Sequence, residues 1–249
     1  MAEALKKYVQ SVNEEGQEAP HEVQRFLVEI QEKVRVSSQE RYAENPINAF
    51  HLVQRLYYNW DRMAKLIFCD QCPETNASKV YNSTMETIAN QTRLFASEED
   101  LQGVAVSLVR LWHTYKLDID KLIMGQILDT ETDPLSPSDI MYLSEVADAN
   151  NRTYDTILWL QALLKALAAG KTEKADDVKE VNIVLRLAEA YSSYGMPWES
   201  IKHLVQYQRK VPTAGEEHYT FFEIKCQQYL PEANGKKGKY GALQGCSYN

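Results

Sequence analysis

Residues 98–122 read EEDLQGVAVSLVRLWHTYKLDIDKL. Leu101, Val104, Ala105, Leu108, Leu111, Trp112 and Tyr115 recur at offsets of three, four and seven, which gives a helix one dry and one wet face. Ser97, with Asp100 three residues on, resembles a capping box and marks the start. The spacing predicts a helix over 98–116 and a brief helical turn near Asp118–Met124.

Upstream, Leu5, Val9, Val12, Gly16, Ala19, Val23, Phe26 and Ile30 keep the 4-3 phase of a coiled-coil seam. Gly16 is a poor helix former and Pro20 interrupts the backbone ladder, so two helical pieces or one kinked helix are expected. Asn45 and Pro46 read as the cap and first position of the next helix. In it Phe50, Val53, Tyr57, Trp60, Ala64 and Ile67 alternate by three and four. Periodicity alone allows either an ordinary buried face or a self-association seam. Residues 69–97 are polar and read as a loop plus a shorter helix around Val80–Leu94.

Downstream, GQILDTETDPLSPSD has the composition of a linker and is taken as a domain boundary. A new helix is expected from Ser136, with Pro137 just inside it. Ile140–Ala149 and Tyr154–Ala169 then form a helix pair that Gly170 stops. Beyond them, Leu187, Ala188, Tyr191, Gly195, Ser200, Leu204 and Pro212 fall on the positions of a tetratricopeptide repeat. A small residue at Ala188 lets two helices approach, Gly195 makes the turn, and Tyr191 and Leu204 fill the groove. One repeat cannot bury its own face, so the pair at 138–169 and a helix at about 215–229 must stack on it. The fold class is therefore all-α: a helical, coiled-coil-like region over 1–130, tetratricopeptide-type hairpins over 131–230, and a tail over 231–249.

Composition narrows the functions. The chain has 249 residues and a formal charge of −8, with no basic stripe of the kind that releases counterions from nucleic acid. No apolar run is long enough to span a membrane, and MAEALKKYV carries no apolar signal core. Four sequons, at Asn76, Asn82, Asn90 and Asn151, favour the secretory pathway. The cysteines are Cys69, Cys72, Cys226 and Cys246. The pair Cys69 and Cys72 has spacing for zinc, redox exchange or a local disulfide. Zinc would need a second ligand pair nearby, so a local disulfide or plain thiols is the reading kept.

Wording adds what spacing does not. GVAVSLVRLWHTYKLDIDKL, residues 103–122, resembles the G-A-x-x-x-L-x-R-L-Q-x-T-Y-x-L-D-x-D run of the collagen prolyl 4-hydroxylase alpha subunit. NPINAFHLVQRLYYNWDRMAKLI, residues 45–67, is similar to that family's H-P-x-N-A-F-x-L-x-x-R-L-x-x-x-W segment. YLPEANGKKGKYGALQGCSYN, residues 229–249, looks like the segment ahead of the family's iron domain. The resemblance implies an endoplasmic reticulum protein and makes Phe50, Val53, Tyr57 and Trp60 a candidate dimer seam. It also makes Cys246 the first cysteine of a disulfide whose partner lies further on.

The same resemblance implies Fe(II), 2-oxoglutarate and ascorbate as cofactors of the full-length enzyme. Its iron set begins H-x-D, and none of His21, His51, His113, His203 or His218 has an acid two residues on. There is no G-x-S-x-G, P-loop or H-E-x-x-H. No catalytic or metal-binding residue and no cofactor is assigned to this chain, which reads as a fragment, splice product or truncated paralogue.

The family's helical domain implies a proline-rich procollagen peptide as partner. Its Asp-Tyr pair and two further tyrosines match Leu185, Arg186, Glu189 and Ser192, so three stacking faces are gone. Each is worth roughly 0.5–1.5 kcal/mol by analogy with aromatic pairs. Phe221-Phe222-Glu223-Ile224 keeps aromatic surface, and Tyr142, Tyr154 and Tyr194 either replace the lost faces or belong to core or rim. Tyr154, Arg186, Glu189 and Phe221 are the candidate peptide contacts. Self-association and a protein disulfide isomerase partner are further expectations. The rival reading is a truncated paralogue acting as an interaction module with altered peptide preference.

Overall fold

The structure is a computed structural model that describes residues 2–37, 42–68, 74–91, 96–171 and 178–210. Within them the fold is all-α, built of helical hairpins, with two strands of two residues each. The chain divides into two compact units, 1–104 and 105–249.

In the first unit, α1 (Ala2–Glu14) and α2 (His21–Ser37) are two separate helices. The break falls at Gly16–Pro20, where one residue lacks a side chain and the other lacks an amide proton. Their 4-3 row turns inward. Leu5, Val12, Val23, Phe26 and Ile30 share one core with Trp60 and Met63, and with Ala77 and Tyr81 of α5 (Asn76–Gln91). Phe26 meets Trp60 edge to face at 5.5 Å. This apolar stripe is thus buried inside a single chain, each large side chain contributing about 1.5–3 kcal/mol.

Asn45 caps α3 (Pro46–Gln54), its side chain accepting from the amides of Ile47 at 3.0 Å and Asn48 at 3.4 Å. A π turn over Arg55–Asn59 joins α3 to α4 (Trp60–Ile67). That wider turn shifts the register of the 3-4 row. Before it Ile47, Phe50 and His51 are buried, and after it Trp60, Met63 and Ile67. Phe50 and Trp60 of the expected seam are buried within this chain, whereas Val53 and Tyr57 are only partly buried. The helix expected around 80–94 starts earlier, at Asn76.

Helix α6 (Glu98–Tyr115) crosses the division between the units. The Ser97 amide and hydroxyl both donate to Asp100 Oδ2 at 2.8 Å, and the Asp100 amide donates back to Ser97 Oγ at 3.2 Å. These bonds, the backbone one foremost, hold the Asp100 carboxyl below its ordinary value. Leu101, Ala105, Leu108 and Trp112 form the expected dry stripe, but Tyr115, in the last turn, is 72% exposed.

The second unit continues with α7 (Ile119–Ile123), capped by Asp118. The stretch expected to be a linker is a folded part of this unit. Strands β1 (Gln126–Ile127) and β2 (Thr130–Glu131) pair antiparallel. The Thr132 amide donates to Gly125 O at 2.8 Å, and the Leu135 amide to Ile123 O at 2.9 Å. Leu135 is buried, so composition that looks like a linker is here a pinned hairpin. Next come α8 (Pro137–Ala149), opened by a Ser136–Asp139 capping box, and α9 (Thr153–Ala168). Helices α10 (Glu180–Ser193) and α11 (Pro197–Lys210) follow, each packing on the one before it. Gly195 turns the α10–α11 corner at φ 84°, a conformation that favours glycine. Ser200 Oγ donates to Ala188 O at 2.5 Å, the close approach expected of a small residue at 188.

Pro212, Phe221, the helix expected at 215–229, the tail over 231–249 and all four cysteines lie outside the described residues.

Candidate functional site

Helices α8, α9 and α10 gather the polar and aromatic side chains with the most chemistry. Helix α10 packs on α9, and the first turn of α9 meets the end of α10. There Tyr154 and Tyr194 lie 5.5 Å apart, centroid to centroid, tilted by 36°. Tyr154 is 50% exposed and Tyr194 49%, so each ring keeps surface open to solvent.

One turn earlier on α10, Tyr191 lies flat on His203 of α11, with centroids 5.3 Å apart and planes 15° apart. The Tyr191 hydroxyl accepts from Gln161 Nε2 at 2.6 Å. Burial pushes the Tyr191 phenol up, with Glu199 and Tyr154 adding to it. Burial also pushes the His203 imidazole down, against the pull of Glu199. Tyr191 is thus a buried ring and offers no open face of its own.

Of the residues expected from the sequence, Tyr154 and Arg186 are brought onto this helical array. Arg186 is partly exposed and pairs with Glu145 of α8. Glu189 is exposed one turn further along α10. Leu185 packs against the core of the last hairpin.

Two further arrangements were not read from the sequence. Asp155, 2% exposed, accepts from His113 Nδ1 at 2.8 Å and from Arg152 Nε at 2.5 Å. This carboxylate joins α6 to α9, and its position in the first turn of α9 suits the positive end of the helix dipole. Arg152 and Asp155, three apart, are visible in sequence; His113, 42 positions away, carries no such signal. The second is a cleft of about 280 Å³ between α7, the hairpin, α8 and the end of α9. Ile123, Leu135, Ile140 and Ala166 line it, with Lys171 at its edge.

Among the described residues no group of His, Cys, Asp or Glu has the geometry of a metal centre. Among the same residues no helix is long and apolar enough to cross a membrane.

Residues 1–129 match the family described as the prolyl 4-hydroxylase alpha-subunit, N-terminal region. The chain belongs to that family. It is similar to prolyl 4-hydroxylase subunit alpha-2 of Gallus gallus, 31% identical over 160 residues, which cover 64% of this chain and 28% of that protein. Subunit alpha-1 of Homo sapiens is 29% identical over 140 residues, 56% of this chain and 24% of the relative. Subunit alpha-2 of Caenorhabditis elegans is 29% identical over 154 residues, 61% of this chain and 27% of the relative. The matched part of the chain thus spans only 24–28% of the length of these alpha subunits. Both rings of the Tyr154–Tyr194 pair and the Tyr191–His203 stack lie beyond the stretch that the family match covers.

Proposed function

We propose that this chain is a non-catalytic part of a procollagen-proline 4-dioxygenase alpha subunit that docks proline-rich, procollagen-like peptide on tetratricopeptide-type hairpins. The observation that carries the reading is the half-open Tyr154–Tyr194 pair. A polyproline II peptide has no internal hydrogen bonds and a preformed shape, so aromatic faces grip its rings at little entropic cost. The pair offers two such faces at one end of α9 and α10, where the row at Leu185, Arg186, Glu189 and Ser192 offers none.

The first unit would support self-association through the surface that includes Val53 and Tyr57, and a disulfide isomerase would be a partner of the longer subunit. The setting would be the endoplasmic reticulum lumen, with sugar on some of Asn76, Asn82, Asn90 and Asn151. Fe(II), 2-oxoglutarate and ascorbate belong, on this reading, to the catalytic part of the family enzyme. Turnover of a (Pro-Pro-Gly)n peptide by this chain with those three supplied would overturn the non-catalytic assignment.

A second reading keeps the scaffold and changes the ligand. It is favoured by the Glu145–Arg186 ion pair, which puts charge where the family row carries an aromatic ring. A charged, non-collagen peptide would then be the partner. Calorimetric titration with (Pro-Pro-Gly)n decides: saturable heat supports the proline-rich reading, and flat titration removes it. Light scattering of the full chain tests self-association, where a monomer at high micromolar concentration counts against it.

A further inference from the structure

The four sequons are not equivalent once folded. N-linked glycosylation forms a bond from the carboxamide Nδ2 to the anomeric carbon of a sugar. The C–O bond to a lipid pyrophosphate breaks, the pyrophosphate leaves with its electron pair, and one amide proton passes to a base. An amide nitrogen is a weak nucleophile, since its lone pair is shared with the carbonyl. A hydroxyl two residues on assists only if it can reach the carboxamide. On a helix, residues i and i+2 do not face each other.

Asn76 and Asn82 both sit on α5. The Ser78 hydroxyl of the first sequon is buried and bonded to Thr75, donating to its carbonyl at 2.9 Å and accepting from its amide at 3.0 Å. In the second, Asn82 Nδ2 donates to Glu86 Oε1 at 3.2 Å, and Thr84 Oγ1 donates to Val80 O at 2.8 Å. Both partners of that sequon are therefore committed within the helix. The Asn90 side chain and Thr92 lie outside the described residues.

Asn151-Arg152-Thr153 is placed differently. Asn151 is exposed at the α8–α9 turn with φ 57°, a left-handed conformation that asparagine tolerates. Its amide donates to Asp148 O at 2.9 Å, which fixes the turn. Its carboxamide and the Thr153 hydroxyl make no hydrogen bond with any described residue. Thr153 is the first residue of α9, so the sequon does not run along a helix face.

We propose that, of the three sequons at Asn76, Asn82 and Asn151, Asn151 is the principal glycan acceptor, taking an N-linked oligosaccharide from a lipid-linked pyrophosphate donor. The inference rests on the lumenal setting proposed above. The sugar would be attached three residues before Tyr154, next to the open ring pair.

The test delivers the full chain to the lumen of cultured animal cells with an added secretory leader. Enzymatic deglycosylation in heavy-oxygen water then leaves a labelled Asp at each formerly modified Asn, read by peptide mass spectrometry. Most molecules should carry the label at 151, with lower occupancy at Asn76 and Asn82. Thr153→Ala should abolish it while circular dichroism stays unchanged. An unmodified Asn151, or occupancy at Asn76 or Asn82 equal to or above it, overturns the proposal. Because the leader supplies the compartment, such a failure would condemn the acceptor and not the lumenal setting. That setting is judged separately, by where the chain resides in cells under its own targeting.

Discussion

Tyr81 packs edge to face with Tyr8, their ring centroids 6.2 Å apart, and its hydroxyl is buried with no hydrogen-bond partner among the described residues. Burial pushes its phenol up to about 12. The folded state therefore holds this proton more tightly than the unfolded state, where the ordinary value is 10.0. Its contribution to stability is whole below pH about 10 and is lost as pH rises toward about 12. Tyr81→Phe removes an unpaired polar atom, so it should leave stability unchanged or raise it by about 1 kcal/mol. Denaturant unfolding at neutral pH and above pH 10 checks both parts, the variant losing less on the alkaline side. His203 acts in the opposite range. Burial holds its folded value below the ordinary 6.5, so the unfolded state binds the extra proton first. Stability should fall as pH drops through 6.5 toward the folded value. The groups facing this imidazole are Tyr191, Glu199 and Lys202. His203→Gln should flatten that slope in melting curves taken between neutral and mildly acidic pH.

At the scale of elements, Gly125 holds the hairpin. It sits at φ 83°, and a Cβ there would come 2.3 Å from Thr132 O. Gly125→Ala should cost more than about 1 kcal/mol and raise hydrogen exchange at the Thr132 and Leu135 amides, which bond to Gly125 and Ile123. Unchanged exchange would remove glycine's role. This element also marks where sequence stopped being legible. The capping box at Ser97, the helix start at Ser136 and the Asn45 cap could be read directly, because a cap bonds residues two or three apart. The linker reading of 125–139 failed because Gly, Pro and Asp serve a tight hairpin as well as a loose connection. The even 3-4 row read over 50–67 assumed a uniform helical period; the π turn over Arg55–Asn59 breaks it, so Tyr57 within that turn is only partly buried while Trp60, Met63 and Ile67 after it are buried. For the candidate site, Tyr154 and Arg186 were reachable by matching a known pattern. The Tyr154–Tyr194 approach, 40 positions apart, and the His113–Asp155 contact arise only when helices stack.

At the scale of the molecule, each unit buries its own apolar stripe within the chain. The first spends the 4-3 row of α1 and α2 internally, which leaves that row closed to a second copy of the chain. The second holds an open aromatic pair and, one turn earlier on α10, a buried Tyr191 stacked on a half-buried His203. On the function proposed above, this pair grips the rings of an extended proline-rich peptide. The most direct measurement is calorimetric titration of the full chain with (Pro-Pro-Gly)n, repeated on Tyr154→Ala and Tyr194→Ala. Saturable binding is expected, weakened roughly 2- to 12-fold in each variant by loss of one stacking face. No saturable heat with the unaltered chain, or equal affinity in both variants, would contradict it.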